Sequence, residues 1–344
     1  VKRVALKDWW NTRKQSVLLD VRTPAEFEKG HIPGALNLPL FSNDERAEVG
    51  TIYKQEGPEP ALLRGLELVG PKMRGFVERA RDLVPDRKLT VHCWRGGNRS
   101  ASMAWLLDLA GFEVEILEGG YKAFRKFVLD GFFKKKLNLT VLGGKTGTGK
   151  TSILHALREK GEQVIDLEGL ANHKGSAFGW IGEDPQPTSE HFENRLFDVF
   201  SSLESEKPTW IENESRTVGK VYIPQGMWDQ MKAAPLVNIE FPLEERIRHL
   251  VDTYTQTEAE DLKVCFRNLK KRLGGQNVKA GLEALERNDY ATAVKIALTY
   301  YDKTYQYQLD NSPAPEVHML SFDQLNPEVI AKTLIRFRSD GVME

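Results

Sequence analysis

The chain has 344 residues, 40% hydrophobic and 28% charged, which leaves room for about two domains of ~100–200 residues and excludes a wholly disordered protein. With 48 Lys and Arg against 49 Asp and Glu the net charge is −1, so only local clusters can argue for a polyanionic partner. Two cysteines, Cys93 and Cys265, exclude a disulfide scaffold and a multi-cysteine zinc site and fit a reducing compartment.

No run approaches the roughly 20 apolar residues of a membrane span. Lys7, Asp8, Arg13 and Lys14 break up the opening segment, so no signal peptide is expected and the cytoplasm is the expected location. In chain order, the first strand is Val17-Leu18-Leu19, ending at Asp20, and the second is Leu89-Thr90-Val91-His92, ending at Cys93. A glycine-rich loop leads into a helix with Met103, Leu106, Leu107 and Ala110 on one face, stopped by Gly111. A third strand, Val114 to Leu117, runs into Gly119-Gly120 and a helix from Tyr121 to Leu129. Strands alternating with helices imply a parallel sheet covered on both faces.

The run Lys134-Lys135-Lys136 reads as a linker to a second α/β pattern. Its first strand, Leu137 to Leu142, enters Gly143-Gly144, and a helix with Ile153, Leu154 and Leu157 on one face stops at Gly161. Further strands are expected at Val164-Ile165, Thr209 to Ile211 and Leu236 to Ile239, with a helix carrying Phe192, Leu196, Val199, Phe200 and Leu203 among them. From Leu243 onward only helical patterns are read. The expected division is 1–133, 134–242 and a helical C-terminal part at 243–344, a candidate for tRNA contact.

The segment His92-Cys93-Trp94-Arg95-Gly96-Gly97-Asn98-Arg99-Ser100 joins a buried strand to a helix start, where backbone N–H groups and the helix end favour an anion. Arg95 and Arg99 beside Cys93 would stabilise its thiolate, and Gly96 and Gly97 read as serving an anion rather than packing. With Asp20-Val21-Arg22-Thr23-Pro24-Ala25-Glu26-Phe27, Gly30-His31-Ile32-Pro33-Gly34-Ala35 and Gly119-Gly120-Tyr121, the first ~130 residues resemble the rhodanese superfamily. The resemblance implies a cysteine that carries sulfur or selenium. The spacing Cys-x5-Arg is one residue longer than usual for simple sulfurtransferases and also matches a phosphatase signature. Such a loop would hold a tetrahedral phosphorus group.

Gly144-Lys145-Thr146-Gly147-Thr148-Gly149-Lys150-Thr151 fits the phosphate-loop pattern between an expected strand and helix. Gly144, Gly147 and Gly149 let backbone N–H groups approach a di- or triphosphate, Lys150 supplies charge, and the Thr151 hydroxyl can bind Mg²⁺. The nearest strand-end acid for Mg²⁺ or for acid–base work is Glu212. No tightly bound cofactor is expected.

A rhodanese module followed by a phosphate-loop module, together with Asn172-His173-Lys174-Gly175-Ser176, Gln186-Pro187, Phe192-Glu193-Asn194, Glu212-Asn213-Glu214-Ser215-Arg216 and Gly219, resembles the tRNA 2-selenouridine synthase family over nearly the whole chain. The resemblance implies an enzyme that geranylates the sulfur of a wobble 2-thiouridine in tRNA using geranyl diphosphate. It then replaces that sulfur with selenium from selenophosphate, with Cys93 as selenium carrier or as an aid to release from phosphorus. His173 and Lys174 are candidate phosphate contacts. The cluster Lys263, Arg267, Lys270, Lys271 and Arg272 would meet tRNA phosphates, and Tyr300, Tyr301, Tyr305 and Tyr307 offer rings for base stacking. Three readings compete: a phosphate-loop ATPase or kinase fused to a sulfurtransferase, a His-Cys-x5-Arg phosphatase, and a non-catalytic rhodanese-fold RNA-binding module.

Overall fold

A computed structural model describes residues 1–254 and 258–339. Two compact units divide it, Val1–Asp130 and Gly131–Glu344.

The first unit is built on β1 (Lys2–Val4), β2 (Val17–Asp20), β3 (Leu36–Asn37), β4 (Lys88–His92) and β5 (Glu113–Leu117), ordered β1-β5-β4-β2-β3 with every pair parallel. Central β4 is buried from Leu89 to His92, so it carries Thr90 and His92 inside the fold beside Leu89 and Val91 and ends at the functional loop. Leu19, Val91 and Ile116 from the sheet pack with Met103, Ala104 and Leu107 of the helix Asn98–Leu109. Sequence reading left the segment between β3 and β4 unassigned, and it folds as three helices, Asn43–Gln55, Pro58–Val69 and Met73–Leu83. The first opens with a capping box between Ser42 and Glu45, the second with Pro58 at its first turn.

The second unit holds a parallel sheet of β6 (Asn138–Gly144), β7 (Gln163–Ile165), β8 (Pro208–Glu212), β11 (Leu236–Glu240) and β12 (Val317–Ser321), ordered β12-β11-β6-β8-β7. A small antiparallel pair, β9 (Thr217–Val218) and β10 (Val221–Tyr222), lies apart from it. The expectation of helices alone after Leu243 fails at β12. That strand sits at the edge, no residue of it is fully buried, and it therefore carries no apolar run to betray it. The helix Pro327–Ser339 that follows buries Ile330, Ala331 and Leu334 in the core built around Ile153, Leu154 and Leu157. The helices Leu243–Tyr254, Ala259–Asn268, Lys270–Leu273, Gly275–Glu286 and Tyr290–Asp310 lie between β11 and β12. Among the described residues no helix is long and apolar enough to cross a membrane.

The boundary also differs from the expected 133/134, because it falls inside the helix Gly120–Lys134. Gly131 lies under Phe197, whose ring would stand 2.3 Å from a Cβ at that position, and Phe132 packs on Phe197 and Phe200. The lysine run is therefore no free linker: Lys134 ends a helix, and the Lys135 ammonium donates to the carbonyls of Ser201 and Leu203 at the end of the helix Ser189–Ser202.

Candidate functional site

Each unit carries one candidate site where a strand passes through a loop into a helix. In the first unit Cys93 follows β4, buried at 3% exposure, with its Sγ 3.4 Å from the Ser100 hydroxyl. Burial pushes the thiol up. The Ser100 hydroxyl, the N–H groups of Arg95 and Ser100 and the Arg99 charge outweigh it, and the net result is a thiol below its ordinary value. Arg99 is fixed by Glu26, Nη1 to Oε2 at 2.7 Å. Glu26 also completes the capping box of the helix Pro24–Lys29 with Thr23, so one carboxylate ties the Thr23-Pro24-Ala25-Glu26 segment to the cysteine loop. Arg95 is exposed and acts on the thiol through its backbone N–H.

The residues that carry the rhodanese resemblance turn out to be the loop's foundation. Arg22 is 1% exposed and grips Asp20 through Nε and Nη2 at 2.6–3.0 Å, donates to the Gly30 carbonyl at 2.8 Å, and lies 3.7 Å over the Tyr121 ring. Tyr121 in turn donates its N–H to the Cys93 carbonyl at 2.9 Å. Gly96 does pack, against the reading that assigned it to an anion alone: a Cβ there would stand 2.8 Å from the Leu117 carbonyl oxygen. Gly97 has open space around it.

In the second unit the chain leaves β6 at Gly144, turns through Gly147 and Gly149 in left-handed conformations, and enters the helix Lys150–Glu159. A cavity of about 570 Å³ opens there, lined by Gly144 and by residues 146–152 of the loop and helix start. Lys150 Nζ rests on the Gly144 carbonyl at 3.0 Å. Thr151 Oγ1 donates to Glu168 Oε2 at 2.8 Å.

Glu212 stands behind this wall rather than in it. It is 2% exposed, its Oε1 accepts the Glu168 N–H at 2.7 Å, and its Oε2 has no hydrogen-bond partner. Burial, with the Asp166 and Glu168 charges, holds its carboxyl well above the usual range. The acids that line the cavity are instead Asp166, Glu168, Glu183 and Glu214. Glu168 and Glu214 are hydrogen-bonded to each other; burial and the Glu168 charge push Glu214 to about 8, and burial also raises Glu168. Both carboxyls crowd Gly175, where a Cβ would stand 2.6 Å from one and 2.8 Å from the other. The pair is not among the expected site residues although Glu214 falls in the stretch Glu212 to Arg216; Glu168 lies just beyond the end of β7, whereas Glu212 is the last residue of β8. As for Mg²⁺, the Thr151 hydroxyl is engaged by Glu168, Glu168 by Glu214, and among the described residues no three His, Cys, Asp or Glu side chains converge to hold a metal.

His173 lines the cavity with its Nδ1 unpartnered, while Lys174 is paired to Glu183 at 2.9 Å. A second, smaller slot shares Thr146, Ser176, Leu250, Tyr254 and Tyr301 with the cavity, and Phe178, Leu262, Phe266, Leu285, Ala293 and Ala297 complete most of its wall. Cys265 is buried in the same apolar cluster, and burial lifts its thiol to about 11, as befits a packing role.

Residues 137–326 match the family model of the tRNA 2-selenouridine synthase AAA domain and residues 5–127 that of the rhodanese-like domain. Two relatives named tRNA 2-selenouridine synthase, from Sulfurovum sp. and Hydrogenovibrio crunogenus, are each 37% identical over 336 residues, covering 86% of this chain and 89% and 90% of theirs. The chain belongs to the tRNA 2-selenouridine synthase family. A third relative of that name, from Pseudomonas syringae pv. syringae, is 35% identical over 86% of this chain and 89% of its own.

For a member of this family the basic cluster is of interest, and the structure divides it. Lys263 and Arg267 are paired with Glu260, at 3.7 and 2.8 Å. Lys270 and Lys271 are exposed, and Arg272 lines the phosphate-loop cavity. The tyrosines are mostly committed as well: Tyr301 accepts the Ala177 N–H at 3.0 Å, Tyr305 donates to Asn238 Oδ1, and the Tyr300 ring packs at a tilt against Tyr301, leaving Tyr307 exposed.

Proposed function

We propose that this chain is a tRNA 2-selenouridine synthase working in two steps on the wobble uridine. First, the thiocarbonyl sulfur of a 2-thiouridine attacks C1 of geranyl diphosphate. The C1–O bond breaks, diphosphate leaves with the electron pair in the phosphate loop beside Lys150, and the N3 proton passes to water. Second, the selenium of selenophosphate adds at C2 and the sulfur departs as geranylthiol, a leaving group that the bare thiocarbonyl lacks. The Cys93 thiolate then attacks phosphorus; the Se–P bond breaks with its pair on selenium, and water hydrolyses the S–P bond to phosphate. This role balances electrons with no oxidant. A perselenide made from selenide-level selenium would need one. The depressed thiol and the wide Cys-x5-Arg loop support it.

The observation that carries the choice of geranyl diphosphate over a nucleotide is the apolar slot opening off the phosphate-loop cavity. An isoprenoid tail has no polar atom to leave unpaired against Leu262, Phe266, Leu285 and Ala297, whereas a purine has ring nitrogens. The slot has room for the end of the tail; the rest would lie in the larger cavity.

The experiment is nucleoside mass spectrometry after incubation of the chain with 2-thiouridine tRNA and geranyl diphosphate, with and without selenophosphate. Geranylated and then selenated uridine are the expected products. Ala297→Phe should cut geranyl diphosphate affinity at least tenfold and leave inorganic pyrophosphate binding unchanged. An obligatory requirement for ATP hydrolysis would overturn the diphosphate assignment.

A further inference from the structure

Arg272 is carried on a single helical turn, Lys270–Leu273, between two buried leucines. Leu269 is 1% exposed and Leu273 is 6% exposed, and both sit in the apolar core shared with Phe178 and Phe266. Four residues apart, those leucines mark the buried face of the turn. They fix the backbone from which Arg272 projects, while Lys270 and Lys271 stay in solvent. The side chain so placed lines the same cavity as the loop that holds Lys150.

The other charges around this cavity have partners. Lys174 pairs with Glu183, Asp166 with His155, and Glu168 with Thr151 and Glu214. Arg272 has no acidic partner among the described residues, and it is the one arginine in the cavity wall. Lys150 shares its end of the cavity with the Glu168–Glu214 pair, whereas Arg272 brings a second cation to the same space with no carboxylate of its own. A guanidinium without a partner is free for an anion, and it is suited to grip two phosphate oxygens at once.

We propose that Arg272 binds the same diphosphate as the phosphate loop, gripping its oxygens from the helical side, and is not a tRNA contact. It thereby holds the leaving group as negative charge builds on it. The proposal rests on the diphosphate reading given above and adds a second cation from a part of the chain remote from the loop.

The test is calorimetric titration of the full chain with inorganic pyrophosphate, paired with tRNA binding at several salt concentrations. Arg272→Gln should weaken pyrophosphate binding roughly tenfold to hundredfold, the usual worth of charged hydrogen bonds. Arg272→Lys should recover part of it, and Lys270→Gln with Lys271→Gln should leave it unchanged. The salt slope of tRNA binding should be unaltered by Arg272→Gln and reduced by the double lysine variant. Because Arg272 is exposed and unpaired, the melting temperature of Arg272→Gln should match the wild type. Equal pyrophosphate binding by wild type and Arg272→Gln would overturn this proposal alone, as would a reduced salt slope with pyrophosphate affinity kept. A wild type that binds no pyrophosphate would overturn both the proposal and the diphosphate reading.

Discussion

Gly120 lies so close to Cys93 that a methyl group on its α-carbon would stand 2.3 Å from the Cys93 carbonyl oxygen. The same methyl would meet the Gly96 nitrogen at 2.7 Å and the Arg95 nitrogen at 3.0 Å, and Gly120 holds a left-handed φ of 55°. Rigid backbone cannot yield cheaply on three sides, and the strained conformation itself costs about 1–3 kcal/mol for a residue with a side chain. Gly120→Ala should therefore lower the melting temperature and displace the cysteine loop. Selenation should fall at least tenfold, while geranyl transfer continues. Thermal melts and the two nucleoside assays report these separately; intact selenation would show that the loop tolerates the shift.

Ser100 is the leading influence holding the Cys93 thiol down against its burial. Ser100→Ala should move the midpoint of iodoacetamide alkylation at Cys93 to higher pH, because the thiolate loses a hydroxyl neighbour. Cys93→Ser should abolish selenation and leave geranylation, since a serine hydroxyl does not ionise near neutrality. An unchanged alkylation profile in Ser100→Ala would assign the stabilisation to the backbone N–H groups instead.

The Asp20–Arg22 pair is inaccessible on both sides, at 0% and 1% side-chain exposure. Breaking a buried pair leaves an uncompensated charge and costs about 3–5 kcal/mol. Arg22→Met should lose that much in urea unfolding of the first unit. Asp20→Leu combined with Arg22→Met should recover a large part. A loss under ~1 kcal/mol in the single variant would mean that water reaches Asp20.

Glu214 supplies a pH signature. Its carboxyl is raised to about 8 by burial and the Glu168 charge, against 4.5 in an unperturbed chain. Between those values the folded chain keeps a proton that the unfolded chain has released, so its contribution to stability is complete below about pH 4.5 and is lost as pH rises through 8. The wild type should melt at progressively lower temperature from pH 5 to pH 9, and Glu214→Gln should flatten that decline. Parallel slopes in the two proteins would place the proton elsewhere.

Much of this architecture can be read from residue order. Buried strands such as β4 and β6 advertise themselves by Leu and Val interrupted by a single Thr, and each ends at the loop that matters. What stayed hidden follows one physical theme: partners chosen across the fold. Glu26 reaches Arg99 over 73 positions, and Arg272 joins the wall of the same cavity as Lys150 from a helical turn 122 positions further along the chain. Glu212 ends a strand, where a cavity acid is expected, but its side chain lies behind Glu168, whose N–H it accepts. Edge strand β12 was missed because half-buried strands need no hydrophobic continuity.

That edge strand has a consequence for how the chain is made. Translation delivers about 5–20 residues per second, and β12 begins 77 residues after β11 ends, so roughly four to fifteen seconds separate the two. During that interval the open edge of β11 is a template for any extended segment nearby, including one from a neighbouring nascent chain. The first unit meets the same exposure earlier, because β1 pairs only with β5, which begins 109 residues further on, so both units are born with a strand waiting for a distant partner.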